Sequence, residues 1–332
     1  MSVEKIIAEW KKKSFKPLYW LEGEEEYYID KLTHYAEHHI LSESEASFNL
    51  SIFYGKDANW AEVVNACRRY PMFAERQVVI LKEAQQMKDV SKLEGYIDNP
   101  LSTTLFIVCY KEKKIDARTK FAKTVKEKGV LFSTKKMYDR ELPAWTQEMI
   151  KERGLTITPK GLALLVEHIG NDLSRIENEI EKLSINLGKR TNITEDDIEN
   201  YIGVSKEYNI FELQAAVAAK DLSRAIKIIQ YFDSNPKAAP LQLVLPSLYG
   251  FFSKVFMVFG ANSNDEKTVA SVIGVNPFFV KDYLQAARKY GYAGIEKGLL
   301  LLHQYNLKSI GIGSIHTDGG ALLKEMTVKM MS

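Results

Sequence analysis

His34, His38 and His39 form the densest group of metal-capable side chains in the sequence. A spacing of four puts His34 and His38 on one face of a helix, where two imidazoles can share a divalent ion. No HExxH arrangement accompanies them, and Glu37 points elsewhere on such a helix, so the group reads as a solvated helix face. Cys67 and Cys109 stand far apart with no CxxC pair, which argues against a disulfide framework and a cysteine-based zinc site. His168, His303 and His316 are isolated, and no Ser/His/Asp or Cys/His grouping emerges from spacing. Glu177, Glu179 and Glu181 alternate with apolar positions and read as another solvated face. The residues point to no catalytic centre, no metal and no cofactor.

Three other stretches are suited to contact rather than chemistry. In Tyr70-Pro71-Met72-Phe73-Ala74-Glu75-Arg76 the proline breaks a helix, so Met72 and Phe73 fall where the chain turns. A bulky apolar pair there can insert into a partner's pocket, because buried anchors dominate interface energy. The same pair can equally tuck under a sheet as core. Lys111, Lys113, Lys114, Arg118, Lys120, Lys123, Lys126 and Lys128 crowd one segment and could hold phosphates, or simply form a solvated face. Finally, Ala270, Gly274 and Val280 have the spacing of a helix-turn-helix, whose second helix would offer Lys281, Gln285 and Arg288 to a major groove. Ordinary helical packing produces that spacing too.

These residues must be positioned by a chain of 332 residues, too long for one compact core, so two or three domains are expected. An apolar fraction of 45% and a charged fraction of 27% are those of a globular protein and exclude disordered or collagen-like architectures. A net charge of only +2 announces no global nucleic-acid field. The start, MSVEKIIAEWKKK, lacks the plan of a signal peptide. The apolar run over 240–260 contains Gln242, Pro246 and Lys254. A charge at mid-membrane costs about 2.5–3.5 kcal/mol even on lenient scales, so a buried core helix in a reduced, cytoplasmic protein is expected.

The first 140 residues alternate helix-like and strand-like segments. Strands are predicted at 18–21, 47–54, 77–81, 103–110 and, more weakly, 129–133, with helices over 25–40 and 60–69. This alternation argues a parallel α/β sheet. From Leu142 only helices are predicted. Thr158-Pro159, Asn171-Asp172 and Thr194 with Asp197 start three of them, and Gly170, Gly188 and Gly203 end them. Residues 203–205 read as a hinge. Beyond them lie a hairpin over 209–232, the apolar helix, helices through Lys289 and from Tyr292, a glycine-rich loop over 311–320 and a terminal helix.

An α/β part followed by a small and then a larger helical part suggests an AAA+ ATPase, which would need GxxxxGK[ST] after its first strand. The chain reads Glu22-Gly23-Glu24-Glu25-Glu26 there, which would repel triphosphate, and the lysine and hydroxyl are missing. After the strand ending at Leu81 come Lys82-Glu83 instead of the paired acids that hold Mg²⁺.

The stretches LYWLEGEEEYYIDKL, YPMFAERQVVILKEA, NPLSTTLFIVCY, HIGNDLSRIENEIEKL with ITEDDIENYIGVS, and IFELQAAVAAKDLSRAI occur in this order. In this the chain resembles, along essentially its whole length, the delta subunit of the bacterial DNA polymerase III clamp loader. The resemblance implies an AAA+-like α/β domain without a nucleotide site (1–140), a small helical lid (141–206) and a helical collar for oligomerisation (207–332). It implies a non-catalytic subunit of a DNA-directed DNA polymerase holoenzyme that binds and opens the sliding clamp so that it can be loaded on primed DNA. Pro71, Met72 and Phe73 would be the clamp-binding wedge, with Met-Phe standing where Leu-Phe is common. Motor ATPases, a delta-prime-type subunit and primer–template DNA would be its partners, with no membrane. Lys111, Lys113, Lys114, Phe278 and Phe279 are its DNA-contact candidates. An active ATPase with a divergent phosphate loop and a helix-turn-helix regulator are the alternatives.

Overall fold

The computed structural model describes residues 2–205, 207–236, 239–261, 263, 265–313 and 318–332. The chain divides into two compact units, Met1–Met137 and Tyr138–Ser332.

The first unit runs α1 (Val3–Lys11), β1 (Leu18–Gly23), α2 (Glu26–His39), α3 (Glu43–Asn49), β2 (Leu50–Tyr54), α4 (Trp60–Cys67), β3 (Gln77–Lys82), α5 (Glu94–Ile97), β4 (Thr104–Lys111), α6 (Lys120–Lys128) and β5 (Val130–Thr134). All five strands are parallel, in the order β2-β3-β4-β1-β5. The continuous apolar runs of β1, β3 and β4 are buried on both faces, as a parallel sheet between helix layers requires. Alternate side chains serve the two layers. Leu18, Trp20, Val79, Leu81, Phe106 and Val108 pack with residues of α4, α5 and α6. Tyr19, Leu21, Val78, Ile80, Leu105 and Ile107 pack with α1 and α2. Helices thus cover both faces of the parallel sheet. Because the strands are parallel, Leu18, Leu50, Gln77, Thr104 and Val130 start them at one edge, and Gly23, Lys82, Lys111 and Thr134 end them at the other.

One expectation needs correction here. The alternation over 47–54 predicts a strand, but Ser47–Asn49 end helix α3 and only Leu50–Tyr54 pair with β3. A capping box starts the helix: the Ser42 hydroxyl accepts from Glu45 N–H while the Glu45 carboxylate accepts from Ser42 N–H. Those two satisfied donors outweigh a short alternating pattern.

The second unit contains α7 (Leu142–Glu152), β6 (Thr156–Ile157), α8 (Pro159–Ile169), α9 (Leu173–Leu187), β7 (Asn192–Ile193) and α10 (Glu195–Ile202). It continues with α11 (Ile210–Ala218), α12 (Leu222–Ser234), α13 (Leu241–Gly260), α14 (Glu266–Ile273), α15 (Val280–Ser309) and α16 (Gly319–Met331). The helices-only expectation is modified by β6 and β7, a two-residue parallel pair too short to leave a hydrophobic pattern. Thr158, Asp172 and Thr194 start their helices as read from sequence. The break expected between Lys289 and Tyr292 falls at Gly291, whose φ of 64° interrupts α15.

Helix α13 is long and apolar enough to cross a membrane by length and composition. Its Val244, Leu245, Leu248, Phe251, Phe252, Val255 and Val258 are instead buried in one core with residues of α11, α12 and α14–α16. Gly298 of α15 lets this packing close, since a Cβ there would lie 2.6 Å from the Phe252 ring. Residues 314–317, with His316, lie outside the described residues.

Candidate functional site

The edge where the strands end holds the position at which an AAA+ protein would bind phosphate. A helix N-terminus suits an anion because its free N–H groups point outward. Here the entry to α2 carries carboxylates instead. Glu25 N–H donates to Thr134 Oγ1 (3.1 Å), and Glu25 itself is buried at the start of α2 with its carboxylate 3.6 Å from Lys136 Nζ. Glu22 is buried too, its carboxylate accepting from Ile115 N–H (3.0 Å) and Ser133 Oγ (2.8 Å). Gly23 closes the gap: its φ is +123°, and a Cβ would lie 2.3 Å from the Thr134 carbonyl oxygen. After β3, Lys82 is drawn into an ion pair with Glu37 at 2.8 Å. The start of α2 is thus surrounded by carboxylates, whose negative charge opposes a triphosphate.

The opposite edge is open. Helix α4 ends at Cys67, and its terminal carbonyls are gathered by one side chain. Gln77 Nε2, at the start of β3, donates to the carbonyls of Ala66 (3.1 Å), Cys67 (3.3 Å) and Arg69 (2.6 Å). Thr104 Oγ1 adds a bond to the Cys67 carbonyl (2.9 Å). The segment 68–76 thus leaves a fixed helix end and enters a fixed strand start. In its middle, Asn49 holds the backbone of Met72 through both N–H and carbonyl. Arg76 stacks over the Phe15 ring, 4.2 Å from its centre.

On this frame the apolar pair projects into solvent. Phe73 is 94% exposed and Met72 53%, so neither is core, and Pro71 is half-buried before them. Phe73 takes φ = 54°, a left-handed conformation that bulky side chains avoid. Tyr70 and Phe48, the latter beside Asn49 at the end of α3, are exposed as well. Exposed apolar side chains of this size are what a docking surface presents. The sequence singled out Met72 and Phe73 but missed Phe48, Asn49 and Gln77. Only the Ser42/Glu45 capping-box spacing, which makes 43–49 helical, hinted at the first two.

The DNA-contact candidates are dispersed. Lys111 is held between Asp30 (2.7 Å) and Glu26 (3.2 Å). Burial pulls its pKa down, but the hydrogen bonds and charges of Asp30 and Glu26 outweigh that and hold it above the ordinary lysine value. Its charge is paired with two carboxylates of α2. Lys113 and Lys114 are exposed on the loop that follows. Phe278 is exposed, whereas Phe279 packs against the helical core and stacks on Phe211 with ring centres 5.9 Å apart.

The helix-turn-helix spacing is realised, with α14, a left-handed Gly274 and then α15. Its Val269, Ala270, Ile273, Val280, Tyr283 and Leu284 are core residues. Lys281, Gln285 and Arg288 are on the outside. His34 and His38 stack with ring centres 4.3 Å apart, and among the described residues no His/Cys/Asp/Glu group is arranged to hold a metal. Both cysteines are buried and reduced. Burial pushes the Cys109 thiol up to about 11, which removes it as a nucleophile at neutral pH.

Residues 19–135 match the family described as DNA polymerase III, delta subunit. The chain is similar to the DNA polymerase III subunit delta of Bacillus subtilis (strain 168), at 26% identity over 84% of each chain. It is also similar to a probable DNA polymerase III subunit delta of Aquifex aeolicus (strain VF5), at 23% identity over 86% of each. Among solved structures, the Bacillus subtilis DNA clamp loader delta protein shares the fold, with a TM-score of 0.55 and 24% identity over 99% of each chain. The matched residues 19–135, the two relatives and the shared fold together make this chain similar, over most of its length, to delta subunits of bacterial DNA polymerase III.

Proposed function

We propose that this chain is the subunit that binds a sliding clamp and favours its open form, with Met72 and Phe73 as the inserted wedge. The observation that carries the proposal is Phe73: almost wholly in solvent, left-handed in backbone, and mounted on a segment fixed at both ends and in the middle. A closed ring is held by its own interfaces. A ligand shifts it toward opening only by binding the open form more tightly, which a wedge entering a pocket beside one interface does. The similarity to a clamp loader delta protein supports this use of the wedge.

The chain would carry no catalytic activity of its own, and the carboxylates at the carboxyl edge of the sheet support that reading. Motor ATPase subunits and a delta-prime-type subunit would join it through the collar, 207–332, with 141–206 as the lid and 1–140 binding the clamp. Primer–template DNA would be met within the assembly in the cytoplasm, with Lys113, Lys114 and Phe278 the candidates left accessible. Co-purification with a bacterial sliding clamp tests the proposal. The wild-type chain should retain the clamp, and a variant with Met72→Ser and Phe73→Ser should not. Equal retention by both would overturn it.

A further inference from the structure

Asn49 is the buried polar residue that touches the wedge, and its geometry is specific. Its side chain is 3% exposed at the last position of α3. Met72 N–H donates to Asn49 Oδ1 (2.7 Å), while Asn49 Nδ2 donates to the carbonyls of Met72 (2.9 Å) and Glu45 (3.0 Å). The carboxamide therefore pairs with Met72 as a neighbouring strand would, through one donor and one acceptor. The backbone fixes which way it points, because the Met72 N–H can only donate and its carbonyl can only accept. No other residue type of this length supplies both.

We infer that Asn49 is the positioning residue of the wedge: it fixes the Met72 backbone so that Phe73 is presented in its left-handed conformation before any partner arrives. The inference rests on the clamp-wedge reading above. A free segment would have to lose conformational freedom on docking, and holding it beforehand removes that cost from binding. The link also crosses 23 residues of sequence, tying the wedge to α3 and, through the Glu45 carbonyl, to the capped helix behind it. Asn49 itself touches no partner in this account, since it lies beneath the segment.

The experiment measures sliding-clamp affinity and thermal melting for the full chain and three variants. Asn49→Ala should bind the clamp about tenfold more weakly, as expected when both hydrogen bonds to the Met72 backbone are lost, with its melting cooperative. Asn49→Asp separates positioning from bulk stability. Its carboxylate still accepts from Met72 N–H but turns a second oxygen toward two carbonyls, so binding at neutral pH should fall at least as far. Protonation restores a donor, so its affinity relative to wild type should recover as the pH is lowered into the mildly acidic range. Met72→Ala/Phe73→Ala, in the same assay, reports on the wedge itself. If that double variant loses the clamp while Asn49→Ala binds as wild type, or Asn49→Asp follows the wild-type pH profile, the Asn49 inference is wrong and the wedge stands. If the double variant binds normally, the wedge reading fails instead.

Discussion

The two edges of the five-stranded sheet use opposite chemistry. At the carboxyl edge, charged groups are buried and matched: Glu22 receives two donors, Glu25 lies against Lys136, and Gly23 is sealed against Thr134. At the amino edge, apolar groups are exposed and the polar ones beneath them, Asn49 and Gln77, do the fastening. A nucleotide site needs open N–H groups and free cationic charge, and a protein-docking wedge needs an uncovered apolar tip on a stiff mount. The first edge carries carboxylates where a nucleotide site needs cations, and the second carries exposed apolar side chains on a hydrogen-bonded segment. Under the function proposed above, the sheet serves to hold a partner.

The contrast can be broken at either edge. The largest effect should come from Phe73→Ser, which should weaken clamp affinity by about a hundredfold, the scale of an interface hot spot. Its melting temperature should stay put because the ring contributes nothing to the core. Gly23→Val should cost the folded state about 3 kcal/mol in denaturant titration, since it adds a left-handed strain to a Cβ contact of 2.3 Å with a carbonyl oxygen. Glu22→Ala should cost about 2 kcal/mol, because Ile115 N–H and Ser133 Oγ then both lose their acceptor. Clamp binding should survive it, which would show that the two edges act separately. Phe48→Ala should reduce clamp affinity by about threefold if the contact surface extends to the end of α3. An unchanged value would confine that surface to residues 70–73.

Much of the α/β frame is legible in the sequence because parallel strands buried on both faces leave uninterrupted runs such as Val78–Leu81. The wedge was legible only as a pair at a turn. The alternation over 47–54 places Asn49 in a strand, whereas it ends α3 and hydrogen-bonds the Met72 backbone, a contact no local spacing announces. The ion pairs of Lys111 are hidden from the sequence for a similar reason. Its two carboxylate partners sit on α2, far away in sequence, and no local spacing announces them. The β6–β7 pair is a third example, where two residues meet two others without any periodicity to betray them. Local patterns reveal elements. Side chains that bridge elements decide what those elements present.

The most direct test follows the clamp itself. A donor and an acceptor dye placed across one interface of a ring-shaped sliding clamp report its opening by a fall in energy transfer. Adding the wild-type chain should produce that fall, and adding Met72→Ser/Phe73→Ser at the same concentration should leave the signal at its closed-ring value. A fall of equal size with both proteins would contradict the wedge account.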